Sequence, residues 1–493
     1  VRPLPRTALS ATCVLLALLL AACGSRLDPQ TVAGASGSSG TGGGATVPGA
    51  DAAGPDGSLP AGGGGDAAAA GGGGAASAGA TGGGGSAASG AGGGGSGDAP
   101  KGTGANAAAG GEKAGSCAGF KNQTGITDST ITIGNASDIS GPVPGLFEAA
   151  PEAVRAYVAY FNATSDICGR KLTLASYDSR TDAAADQQAY VKGCDEAFAM
   201  VGSMSAFDSG GASTAQSCGL PDIRTAATTA ERLSCTTCFA AEAANSQQFQ
   251  NAVPDFVLKN YGDAGKHAAM LYINAGAAAE NGKTQAAAMG KRGMHFDYVQ
   301  GIDISEFNYA PYVQQMKDKG IEYVQIIGST AQFTRLAEAM KQQGFKPKIF
   351  MIDPTAYNPD FVSSGGDAVE GTTVFINFTP FEEAGSNKEL QLYLSWLQQV
   401  KPGATPSFFG LFAWSAARLF VQQATQLGGK LTRSALASSL KGVSNWTANG
   451  MHAPQPVGAK QASPCWRFIK LVSGRWTPIG GTKYQCSGTT SVG

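Results

Sequence analysis

Gly276-Ala-Ala-Ala-Glu-Asn-Gly282-Lys283-Thr284 comes nearest in this chain to a segment that could cradle a phosphate. A phosphate loop needs four residues between its glycines so that successive amides wrap one phosphate. Here five intervene, and the following strand candidate, Tyr323–Gly328, closes on glycine where a metal-holding aspartate would be required. The segment therefore does not read as a nucleotide site. Hydrolase chemistry is equally poorly served, because no Gly-x-Ser-x-Gly elbow occurs. His267 begins a strand, His295 lies in or beside one, and His452 sits between elements, so no histidine-based acid–base centre forms. Cys235-Thr-Thr-Cys238 could be a redox pair or half a zinc site, but no second ligand pair accompanies it. The reading is of a protein without catalytic residues, cofactor or metal.

What remains is a set of small polar loops: Ser137-Asp138-Ile139-Ser140-Gly141-Pro142-Val143-Pro144-Gly145, Gly202-Ser203-Met204-Ser205-Ala206 and Thr225-Ala226-Ala227-Thr228-Thr229, then Asn274-Ala275-Gly276, Gly328-Ser329-Thr330 and Asp353-Pro354-Thr355-Ala356-Tyr357. Hydroxyls and amides at helix starts can hold carboxylates or amides. Taken singly, each loop could merely cap a helix. Their chemistry depends on elements that bring them to one place.

Those elements occupy only part of the 493 residues. None of the aromatic residues precedes Phe120, and a segment lacking them cannot bury enough apolar surface to offset its ordering entropy. Arg2 and Arg6 followed by the apolar run Ala8–Ala22 read as a secretory leader, too short for a comfortable membrane span. The run ends in Leu20-Ala21-Ala22-Cys23-Gly24, which resembles the lipobox of bacterial lipoproteins. That resemblance implies removal of residues 1–22, lipidation of Cys23 and attachment to the outer face of the cell membrane. Residues 23–116 read as a disordered Gly/Ala-rich tether, with 34 of the 71 glycines falling in 24–116. About 90 such residues give a root-mean-square reach of roughly 50 Å. With 35 basic and 36 acidic side chains, the chain lacks the basic excess of a nucleic-acid-binding surface.

Beyond residue 116 strands and helices alternate. Thr130–Ala136, Lys171–Tyr177, Ala199–Gly202 and Asp222–Thr225 read as strands, with helices over Pro151–Asn162 and Ala183–Ala197. After a long helix near Gln247–Tyr261 the pattern restarts. Strands over His267–Asn274, His295–Val299, Ile321–Gly328, Lys348–Ile352 and Thr372–Phe378 are interleaved with helices over Lys283–Arg292, Tyr309–Lys319 and Gln332–Gln343. Phe409–Leu427 reads as a late helix packed between layers. Such alternation predicts an α/β fold of two doubly wound parallel-sheet lobes. In these sheets ligands bind beyond the carboxyl ends of the strands, where the polar loops lie.

The cysteines agree with export. Setting aside Cys13 and Cys23 leaves eight, an even number that reads as disulfides. Sequence alone leaves their pairing open, but the element order narrows it. Cys117 and Cys168 each precede neighbouring strands, Cys194 and Cys218 end consecutive helices, and Cys465 and Cys486 bracket a hairpin around Ser473-Gly474. Cys235 and Cys238 remain, as a small structural loop.

The ordered set Ile-Thr-Ile-Gly…Ser-Gly-Pro (131–142), Lys-Leu-Thr-Leu-Ala-Ser-Tyr-Asp (171–178), Val-Gly-Ser-Met-Ser (201–205) and Ala-Ala-Thr (226–228) resembles the type I periplasmic binding proteins. Within that fold the nearest likeness is to the leucine/isoleucine/valine-binding solute receptors of ABC importers, over about residues 126–486. The resemblance implies lobe 1 from 117–250 plus 378–454 and lobe 2 from 251–377 plus 455–493. Three hinge crossovers would join them, near Asn245–Val253, Asn377–Pro380 and Gly450–Pro456. The chain would be a monomer that closes on a small polar solute, amino-acid, amide or carboxylate-like, and passes it to ABC permease subunits. A surface receptor or sensor lipoprotein uncoupled from transport is the alternative. Ser205, Ala206, Ala226, Ala227 and Thr228 match the positions that hold a solute carboxylate. The second lobe lacks the usual aromatic in Ala277-Ala278-Ala279-Glu280, and Asp353 stands one residue from the expected ammonium partner. Phe147 and Tyr357 are the candidate aromatic walls.

Overall fold

The computed structural model describes residues 114–492. The expected leader, the expected lipidation site Cys23 and nearly all of the expected tether lie outside the described residues.

Five strands form the first sheet: β1 (Thr130–Ser137), β2 (Lys171–Asp178), β3 (Ala199–Val201), β4 (Asp222–Ala226) and β5 (Cys238–Glu242). Their order is β2-β1-β3-β4-β5, every pair parallel. Helices α1 (Ala149–Thr164) and α2 (Ala183–Glu196) and the short α3 (Ala212–Ser217) and α4 (Ala230–Ser234) make the crossovers.

After β6 (Gln248–Gln250) and α5 (Ala252–Tyr261) the second sheet begins. Its strands are β7 (Ala268–Ile273), β8 (Phe296–Ile302), β9 (Tyr323–Ile327), β10 (Ile349–Ile352) and β11 (Thr373–Ile376), with α6 (Gly276–Lys291), α7 (Ala310–Asp318), α8 (Thr330–Gln342) and α9 (Pro359–Gly365) between them. These five strands pair in parallel. The hairpin β12 (Cys465–Val472) and β13 (Arg475–Ile479) adds an antiparallel margin against β11. The last short strands, β14 (Gln485–Cys486) and β15 (Thr489–Ser491), pair with β12 and β6 respectively.

The helix read over 247–261 starts only at Ala252, because Gln248–Gln250 pairs antiparallel with Thr489–Ser491, a partner some 240 residues away by the paired numbers. Conversely, α6 begins at Gly276, seven residues ahead of Lys283 where the reading placed it. Gly282 therefore lies inside a helix, where an added Cβ would sit 2.6 Å from the Tyr272 side chain. Glycine serves helix–strand packing there, not phosphate.

Three more helices complete the chain: α10 (Lys388–Val400), α11 (Phe408–Leu427) and α12 (Arg433–Lys441). α11 packs alongside α1 and against β3, β4 and β5 of the first sheet, where the sequence suggests a helix between layers. Trp414 is fully buried on it, its ring set edge-on to Tyr157 at 4.8 Å and stacked near Tyr160 at 5.8 Å. The Trp414 indole N–H donates to Glu389 at 2.7 Å, and Arg418 pairs with that carboxylate at 3.0 Å, so the buried Glu389 charge is compensated as low-dielectric surroundings demand.

The chain passes between the two sheets three times, after β5, after β11 and before β12. These crossings are tied to one another. The Ala453 N–H donates to the Asn377 carbonyl at 2.7 Å, Thr379 to Met451 at 2.9 Å, and Ser463 to Ala243 at 2.7 Å. The disulfides join Cys117 to Cys168, Cys194 to Cys218, Cys235 to Cys238 and Cys465 to Cys486.

Candidate functional site

The carboxyl ends of β1, β3, β4 and β5 face those of β7, β9 and β10 across a cavity of about 240 Å³. The loop after β3 is set by Gly202, whose φ of +68° is a left-handed conformation that disfavours other residues. A Cβ there would lie 2.4 Å from Val154 Cγ2. Gly202 turns the chain so that Met204, Ser205 and Ala206 reach the cavity wall.

Two internal carboxylates organise this wall. Asp138 Oδ1 accepts from the Ser179 hydroxyl at 2.5 Å and the Thr181 N–H at 2.9 Å, while its Oδ2 accepts from the Ala206 N–H at 2.8 Å. Asp208 accepts from the Thr228 N–H at 2.9 Å and the Thr229 hydroxyl at 2.6 Å. Beneath Asp208 lies a buried charge cluster. Arg224 stands 3.7 Å from Asp208, and Arg232 pairs with Asp186 and Asp222, each at 3.0 Å. Burial pushes the Asp186 carboxyl up to about 6, against the pull of Arg232 and Arg224.

The structure thus brings Ser205, Ala206, Ala226, Thr228, Phe147 and Asp353 to one cavity. It also uses two of the amides that the resemblance assigned to a solute carboxylate: those of Ala206 and Thr228 already donate to the protein's own aspartates. Ala227 does not line the cavity. Nor does Tyr357. Its ring packs against Phe378, Phe381 and Trp476, its hydroxyl hydrogen-bonds Glu382, and the Phe381 N–H donates to that hydroxyl at 2.7 Å. Tyr357 is core because its short 3₁₀ turn, Pro354–Ala356, directs it inward behind the loop.

The walls are largely aromatic. Phe147 meets Phe409 edge-on at 4.7 Å, Phe249 meets Phe375 at 5.8 Å, and Phe375 meets Trp466 at 5.4 Å. All five, with Phe408, line the cavity. Trp466, Phe375 and Phe249 supply the aromatic surface missing after β7, from strands and a crossing distant in sequence.

Two acids face in. Glu242 ends β5 and Asp353 follows β10, so one carboxyl comes from each lobe. Burial pushes Glu242 up to about 8; Asn377 donates to it weakly at 3.4 Å, and the nearby charge of Asp353 raises it further. Burial likewise pushes Asp353 up to about 6, opposed by the Thr355 N–H that donates to it at 2.8 Å. Among the described residues no Lys, Arg or His lines this cavity. Thr228 Oγ1 and Gln250 Nε2, both lining it, are buried without a hydrogen-bond partner. Glu242 and Gln250 were not legible beforehand: Cys-Phe-Ala-Ala-Glu (238–242) is a short buried strand with no alternation to mark it. Among the described residues no group of three or more His, Cys, Asp or Glu side chains could hold a metal ion.

A second, outer chamber of about 620 Å³ shares Phe408, Phe409, Ser329 and Thr355 with the first and is rimmed by Glu148, Glu152 and Lys401. Lys401 pairs with both glutamates there.

Two lobes, three mutually bonded crossings and a cavity at facing carboxyl edges define a bilobal solute receptor. The chain belongs to the periplasmic binding proteins, whose family model matches residues 130–475. This is a family of extracytoplasmic solute-binding receptors that work with ABC permeases, not of enzymes. Solved structures with the same fold include a fatty acid ABC transporter substrate-binding protein from Thermomonospora curvata. It is 18% identical with a TM-score of 0.65, over 75% of this chain and 95% of that one. A leucine-binding protein from Thermotoga maritima is 14% identical at a TM-score of 0.61, over 73% and 98%. An R. palustris solute-binding protein in complex with 4-hydroxybenzoate is 16% identical at 0.61, again over 73% and 98%. Identities this low speak for the fold alone. No curated protein matches the chain. No described helix is long and apolar enough to cross a membrane.

Proposed function

We propose that this chain is the lipid-anchored receptor of an ABC importer, tethered through Cys23, which closes on a small solute and hands it unaltered to permease subunits. The observation that carries this reading is the cavity between the carboxyl ends of two sheets joined by three crossings. The lipobox-like Leu-Ala-Ala-Cys23 and the glycine-rich stretch behind it support the anchor and the tether. Solute binding between the lobes stabilises the closed form by its differential affinity for that form.

A thermal-shift screen of amino acids, amides, amines, ureas and short carboxylates tests the reading. A ligand at 100 times its dissociation constant adds about 2.7 kcal/mol of stability. Small-angle scattering with the best hit should then show compaction. An unchanged radius at saturation, or turnover of the hit, counts against a receptor that closes.

A further inference from the structure

We infer that the solute carries a protonated amine on an apolar body, and that Glu242 and Asp353 grip the amine from opposite lobes while the aromatic walls take the body. This rests on the receptor reading above and narrows it.

The argument begins with sign. Glu242 and Asp353 are the only titratable side chains among the described residues lining the inner cavity, and no cation accompanies them. A solute carboxylate placed there would meet two carboxyl groups and no cation in a poorly screened space, where any ionised carboxyl repels it far more strongly than in water. It would also find the Ala206 and Thr228 amides donating to Asp138 and Asp208. An ammonium meets the opposite situation. Each acid offers acceptor oxygens, and the ammonium lowers the cost of ionising both. Burying such a charge is tolerable only where it is paired and hydrogen-bonded, and two carboxyl groups meet that condition.

The second observation is independent of the acids. Thr228 Oγ1 is buried, lines the same cavity and lacks any partner in the protein, and a hydroxyl oxygen can accept from an ammonium. An unpartnered buried polar atom is costly, so its presence in the lining points to a ligand that bonds it. Phe147, Phe408 and Trp466 complete the site, and ammonium groups are attracted to aromatic faces. Because one acid belongs to each lobe, the same amine that satisfies them also bridges the cleft.

Isothermal titration of the full chain at pH 7 tests this with four matched probes: 2-phenylethylamine, 3-phenylpropionate, 2-phenylethanol and L-phenylalanine. The amine should bind at least tenfold tighter than the other three. Glu242→Gln and Asp353→Asn should each weaken the amine tenfold or more and leave 2-phenylethanol within twofold. Far-ultraviolet circular dichroism of the unliganded variants checks their folding, and either variant suffices if the other fails to fold. Tighter binding of 3-phenylpropionate or L-phenylalanine overturns the amine assignment and leaves the receptor reading standing. Unchanged amine affinity in both variants also overturns it. Binding of none of the four overturns it too, and the receptor reading then falls only if the wider screen and the scattering also fail.

Discussion

The Ala277 N–H donates to the Ala206 carbonyl at 2.9 Å, joining the first turn of α6 in the second lobe to the loop after β3 in the first. Asn281, one turn further along α6, donates its amide to the Thr228 carbonyl at 3.1 Å. Together they fasten the cleft shut beside the cavity. The bond is short enough to form because Gly276 has no side chain: a Cβ there would sit 2.5 Å from the Ala206 oxygen, and its φ of +50° already disfavours other residues. Gly276→Ala should therefore hold the lobes apart. Scattering should give a larger radius than wild type, and the affinity for the best hit of the screen should drop tenfold or more. A wild-type radius and affinity would mean that this contact does not limit closure.

Asp138 links three segments that are far apart in sequence, through Ser179, Thr181 and Ala206. Hydrogen bonds to charged groups contribute roughly 1.5–3 kcal/mol each and are not additive. Asp138→Ala should cost about 3–5 kcal/mol in urea unfolding on the scale of a broken buried network. Asp138→Asn should cost less, since its side-chain oxygen can still accept. Equal losses in the two variants would show that charge, not acceptor geometry, is what Asp138 contributes.

Residues 131–136 and 171–177 could be read as strands because alternation at period two and flanking helices at period 3.6 are local signals. The rule that ligands lie beyond the carboxyl ends of strands then placed Ser205, Ala206, Ala226, Thr228 and Asp353 near one cavity. Pairing across the fold was not legible. Asp138 meets Ala206 across 68 residues, and nothing local marks that the amide is taken. Gln248–Gln250 was read into a helix because its partner, Thr489–Ser491, lies at the other end of the chain. Glu242 was hidden for a related reason: a carboxylate ending a five-residue buried strand carries no periodicity. Tyr357 reads from the sequence as a wall of the solute cavity because loop position says nothing about which way a ring turns.

The disulfides close loops of very different size. Cys117 and Cys168 are 51 residues apart, and Cys235 and Cys238 only three. Loop-closure entropy in the unfolded chain then gives about 4 kcal/mol for the first and about 1.5 kcal/mol for the second. Replacing each pair by serine should lower the melting temperature in that order. A reversed order would mean that burial of Cys235 and Cys238, 3% and 2% exposed, outweighs the chain entropy.

Glu242 also predicts how stability depends on pH. Its folded-state pKa of about 8 lies above its ordinary 4.5, so the fold retains a proton that the unfolded chain has already lost near neutrality. Asp353 and Asp186, each pushed up to about 6, are largely ionised above pH 7, and burial holds His452 down at about 4, against an ordinary 6.5 that the unfolded chain has mostly titrated through by pH 7.2. Between pH 7.2 and 8 the Glu242 contribution therefore stands largely by itself. Unliganded stability should fall across that window, by up to about 1.4 kcal/mol per pH unit, and level off above it. Glu242→Gln, which cannot ionise, should flatten the slope and gain on wild type as pH rises. Urea unfolding of both proteins at pH 7.2, 7.6 and 8 measures the difference directly, and parallel profiles would place the retained proton elsewhere.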